Sequence, residues 1–105
     1  MNPFEVIFDN AGGITIQGEG FAVAYEAHDD VVDAAADDAK ALLDGADPSD
    51  WEGNNEANRE TNTQWCKVYD DADLQSEMTS QAPIRVSGAT EARFLARLTG
   101  RPVQS

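Results

Sequence analysis

Apolar positions alternate at period two through the first quarter of the chain, then switch to helical spacing. In Pro3 to Asp9 (PFEVIFD), Phe4, Val6 and Phe8 share one face and Glu5 and Ile7 the other, a strand pattern rich in aromatic and β-branched residues. Asn10-Ala11-Gly12-Gly13 tolerates positive φ and predicts a tight turn, which places a second strand, Ile14 to Gln17, antiparallel to the first. Gln17-Gly18-Glu19-Gly20 is the next turn candidate. Phe21 to Glu26 (FAVAYE) predicts a third strand, with Phe21, Val23 and Tyr25 opposite the small Ala22 and Ala24. The alanine face is the expected seat for a closely packed helix.

That helix is His28 to Gly45 (HDDVVDAAADDAKALLDG). Val32, Ala35, Ala36, Ala39, Leu42 and Leu43 recur on one side, while Asp30, Asp33, Asp37 and Asp44 fall within a narrow arc opposite. Asp29 is the expected cap, Asp30 and Asp33 suit the positive end of the helix dipole, and Gly45 stands where a left-handed C′ residue belongs.

Periodicity weakens beyond this point. Asp47-Pro48-Ser49-Asp50 has the grammar of a short helical turn, with Trp51 as a lid over the end of the long helix. Glu52 to Thr63 (EGNNEANRETNT) carries no apolar period and is either an ordered polar loop or a mobile one. Gln64 to Tyr69 alternates again as a strand, and Asp70 to Met78 is acidic and weakly helical, about one turn. Ile84-Arg85-Val86, after Pro83, suggests an edge strand. Ser87 to Leu98 predicts a second helix, opened by Ser87 or Thr90 and closed by Gly100. Phe94, Leu95 and Leu98 face the core; Arg93 and Arg97 lie outside, with Arg101 just past the end. The expected fold is α+β: one domain over 1–105, an antiparallel sheet of four or five strands, the long acidic helix on one face and a second helix at the C-terminus.

Charge changes this picture more than composition does. Twenty acids against seven bases leave −13, and the asymmetry is steep: residues 1–80 hold 19 acids and three bases, residues 81–105 one acid and four arginines. Such a balance disfavours direct contact with nucleic acid or anionic membrane and favours basic partners. One cysteine, Cys66, excludes an internal disulfide and fits a reducing cytoplasm; no apolar run approaches a membrane span.

Candidate chemistry is sparse. His28 and Cys66 are the only histidine and cysteine, and nothing in the sequence brings them together. His28 fits a polar residue at the helix start and Cys66 a small buried one. No nucleophile elbow, phosphate loop, dinucleotide fingerprint or zinc spacing occurs, so no catalytic residue and no cofactor is expected. Asp47, Asp50, Glu52 and Asn54, and separately Asp70, Asp71 and Asp73, are rich in oxygen, but neither group has the spacing of a calcium loop. The remaining candidate is a surface. Asp30, Asp33, Asp37 and Asp44, continued by Asp47, Asp50, Glu52 and Glu56, form either a solvated face or a contact for a groove built around a nucleic-acid backbone. The arginine ridge is expected to pair with the chain's own acidic half or with the acidic face of a second copy.

The segment LLDGADPSDWEGNNE, with Asp47, Pro48, Trp51, Gly53 and Asn54 in a D-P-x-x-W-x-G-N pattern, resembles small accessory proteins of bacteriophages and mobile elements, over residues 21–56. In size and acidity the chain also looks like the anti-CRISPR proteins, several of which are acidic α+β DNA mimics. The resemblance implies a cytoplasmic, non-enzymatic inhibitor, monomer or homodimer. It would block a basic nucleic-acid-binding surface of a host defence complex. The alternative is a self-assembling structural protein.

Overall fold

The computed structural model describes residues 3–104. Four strands, β1 (Phe4–Phe8), β2 (Ile14–Gly18), β3 (Phe21–Tyr25) and β4 (Lys67–Asp70), form one antiparallel sheet in the order β3-β2-β1-β4. Three helices accompany it: α1 (Asp29–Leu43), α2 (Asp71–Thr79) and α3 (Ala89–Thr99). Pairing of Val6 with Ile16, and of Ile16 with Val23, puts the large apolar residues of the opening meander on one face, except Ile7, which is buried on the other. Phe4, Val6, Phe8, Ile14, Ile16, Phe21 and Val23 meet Val32, Ala35, Ala36, Ala39 and Leu42 of α1 and Phe94, Leu95 and Leu98 of α3. Phe94 anchors the far end, packed edge-on against Phe8 with ring centroids 5.2 Å apart.

The helix therefore lies on the bulky face of β3, contrary to the expected seat on Ala22 and Ala24. Size complementarity explains the choice: α1 presents alanines, so the large side chains must come from the sheet for the layers to interdigitate. On the alanine face the polar segment covers Ala22 instead, and Ala24 stays exposed. To pass from β3 at one border to β4 at the other, the chain must cross the back of the sheet, and residues 54–66 make that crossing. They are ordered by hydrogen bonds in place of apolar contacts. Ala22 N–H donates to Asn54 Oδ1 at 3.0 Å, and its carbonyl accepts from Asn55 N–H at 2.9 Å. Arg59 Nη2 donates to the carbonyls of Gly18 and Phe21. Gln17, only 5% exposed on β2, uses its carboxamide like a peptide unit: Oε1 accepts from Glu60 N–H and Nε2 donates to Glu60 C=O.

Several termini differ from expectation. His28 occupies the α1 N-cap without a side-chain bond, and Asp29 is the first helical residue. Gly45, at φ 98°, ends α1 as expected, with Gly45 N–H and Ala46 N–H returning to Leu42 and Ala41 carbonyls. Residues 47–51 form a turn with one Trp51 N–H to Pro48 carbonyl bond, and Trp51 is half-buried beside β3. Trp65 is 70% exposed and Cys66 half-buried in a turn, so β4 starts only at Lys67. A capping box between Asp70 and Asp73 extends α2 beyond the single turn expected. Ile84 makes one parallel bridge to Val103 in place of a sheet strand, and Gly88, not Ser87 or Thr90, is the N-cap of α3.

Candidate acidic interaction surface

The aspartate stripe of α1 is divided by α3. Arg93 Nε and Nη2 lie 3.1 and 3.0 Å from the two carboxylate oxygens of Asp33, and Arg97 forks onto Asp37 at 2.9 and 3.0 Å. Arg93 Nη1 also approaches Asp29 at 3.4 Å. The hydrogen bond from Arg97 holds the Asp37 carboxyl below its usual range, and the carboxylates raise the pKa of both arginines. Of the two partners expected for the arginine ridge, Arg93 and Arg97 take the chain's own acidic half: partly exposed, they line a seam between two helices. Asp33 and Asp37 are thus neutralised within the chain, while Asp30 and Asp44, at the two ends, stay exposed with no cationic partner among the described residues.

Beyond α1 the acids form a second block. Asp44 is the C-cap residue, and Asp47, Asp50 and Glu52 follow on the surface segment that leads to β3. Asp47 Oδ1 accepts from Ser49 N–H at 3.0 Å, which lowers its pKa, and no cation pairs with Asp47, Asp50 or Glu52 among the described residues. Glu56 differs, since Arg59 donates to both of its oxygens and lowers its pKa. Of the eight carboxylates singled out from the sequence, five are exposed without a cationic partner among the described residues: Asp30, Asp44, Asp47, Asp50 and Glu52.

One residue of this region escaped the sequence pattern. Asp38 follows Asp37 and is turned about 100° round the helix, toward the sheet. Its Oδ2 accepts from Tyr25 Oη at 2.7 Å, and burial first, then Asp38, pushes the Tyr25 hydroxyl well above its usual pKa. Asp38, Tyr25 and Trp51 border one cleft with Glu52. No single-sequence signal marks this grouping, because its members come from a strand, a helix and a loop.

The other candidates are occupied structurally. Asp70 and Asp73 bond each other's backbone N–H groups, Asn54 bonds Ala22 and Ser49, and no group of three His, Cys, Asp or Glu among the described residues is arranged to hold a metal. His28 stands 3.8 Å from Glu26, and the Cys66 thiol, raised in pKa by burial and by Glu60 and Asp9, faces the Asn62 carbonyl. Arg101 turns away from α1 to pair with Glu77 of α2 and the Ala82 carbonyl. No described helix is long and apolar enough to cross a membrane. Comparison with protein-family models, with curated proteins and with solved structures gave no match.

Proposed function

We propose that this chain is a non-enzymatic inhibitor of the phage type, which binds a basic protein surface otherwise occupied by nucleic acid in a host defence complex. The observation that carries the reading is the unpaired acidic block. With a net charge of −13, the chain neutralises Asp33 and Asp37 internally yet leaves Asp44, Asp47, Asp50 and Glu52 exposed on one continuous segment, with no cationic partner among the described residues. Carboxylates presented from backbone held by a helix C-cap and an Asx turn are positioned before binding, which lowers the ordering cost of association. Opposite potentials would steer encounter and make the complex salt-sensitive.

The test is to express the chain in cells carrying a nucleic-acid-targeting defence and count plaques of a targeted phage. Restored plaquing, lost in the quadruple variant Asp44→Asn, Asp47→Asn, Asp50→Asn, Glu52→Gln, is expected. Plaquing as strong with the quadruple variant as with the parent would overturn the role of this surface. Self-assembly through acidic helix and arginine ridge loses its motive, because Arg93 and Arg97 are already paired within the chain.

A further inference from the structure

We infer that the cleft beside β3 is a socket for one arginine side chain of the partner. This rests on the basic-partner reading and names the contact that would anchor it. The cleft has a volume of about 380 Å3 and is bordered by Val23, Ala24 and Tyr25 of the border strand, Asp38 of α1, and Trp51 to Gly53. Gly53 lets this wall close on the sheet: a Cβ there would stand 3.2 Å from Val23 Cγ1, tighter than ordinary packing.

Its chemistry selects a planar cation. Trp51 packs against the margin of the core, so its ring position is set before any ligand arrives. Tyr25 orients Asp38 by donating to Oδ2, which leaves Oδ1 without a protein donor among the described residues. Glu52 adds a second, exposed carboxylate with no ion pair among the described residues. A guanidinium can stack on an indole face while its edge N–H groups fork onto a carboxylate; an ammonium offers a point charge without the flat face. Two carboxylates repel anions, and an apolar group entering would strip them of water with nothing in return.

The experiment follows the Trp51 indole N–H by NMR in the full chain carrying Trp65→Phe, which leaves a single tryptophan and does not touch the cleft. The probes are acetyl-Gly-Arg-Gly-amide and its lysine and citrulline counterparts. The arginine peptide should shift the Trp51 signal saturably and bind several-fold tighter than the lysine peptide, and citrulline should give no shift. Glu52→Gln with Asp38→Asn should weaken binding about tenfold, whereas Asp30→Asn, outside the cleft, should change it less than about twofold. A silent Trp51, equal shifts from citrulline, or undiminished binding in the double variant would each overturn the socket. Plaquing restored by the intact chain alongside a silent Trp51 would remove the socket and leave the acidic-surface reading standing.

Discussion

Arg97 on α3 holds Asp37 on α1 by a two-point fork, and one turn earlier Arg93 holds Asp33 the same way. Both helices advance four residues between the forks, so they run side by side in the same direction. Charge inversion at one rung tests the seam. Arg97→Asp should lower the melting temperature by facing like charges, and adding Asp37→Arg should recover most of the loss. Because the pair is exposed, the recovery should shrink in about 1 M salt, where screening acts over about 3 Å. A double variant no more stable than Arg97→Asp alone would show that the rung contributes no specific pairing.

Acid should weaken the fold. Asp37, Asp47 and Glu56 have folded pKa values below their ordinary ones, because Arg97, Ser49 N–H and Arg59 bond the charged forms. The unfolded chain then binds protons more readily, so the stability these groups contribute is complete above the usual carboxylate range, near pH ~4, and is lost as pH falls through the depressed values. Urea midpoints measured from about pH 6 to about pH 2 should drop at the acid end. The drop should be shallower in Arg97→Met.

The alkaline side has its own probe. Tyr25 and Tyr69 are the only tyrosines, and both hydroxyls are raised, chiefly by burial and then by their bonds to Asp38 and Glu91. A raised folded pKa means the contribution is intact below the ordinary tyrosine value of about 10 and is lost as pH climbs beyond it. Phenolate absorbance should therefore stay flat through pH ~10 and rise only with alkaline unfolding. An absorbance step near that value with circular dichroism unchanged would contradict the burial of both rings.

Gln17 is the lock on the polar crossing. Gln17→Leu leaves the Glu60 N–H and C=O without their partner and should cost about 1–3 kcal/mol. Hydrogen exchange should quicken at Glu60 while amides of α1 keep their protection. Equal loss of protection in both would mean the crossing is not a separate unit.

Phe94 is completely buried and touches the sheet through Phe8. Phe94→Ala should cost about 3–5 kcal/mol by urea denaturation. A cost under about 1 kcal/mol would mean the space collapses without penalty.

Strong periodicity made the core legible before the structure. Val6, Ile16 and Val23, and Val32 through Leu42, were all readable from spacing alone. Their partnership was not, since period two says which residues share a face and nothing about which face meets the helix. The polar crossing was illegible for a different reason. Asn54, Asn55 and Asn58 all bond backbone groups of Ala22 on β3, and pairing of this kind leaves no apolar rhythm. Of the eight candidate carboxylates, the state of Asp33 and Asp37 depends on α3 and that of Glu56 on Arg59, which spacing does not show. Whether Asp33 is free or forked turns on a tertiary contact sixty residues away.

The asparagines that tie the crossing to β3 also decide how this sheet meets other chains. Val23 has its bridge partner in Asn54, and both main-chain groups of Ala22 are taken, so one border of the sheet offers an incoming strand no open row of hydrogen bonds. Growth by strand addition would have to start at Lys67–Asp70, only four residues long and charged at both ends. A chain concentrated in a cell would thus resist polymerising along its sheet even if salt erased its mutual repulsion.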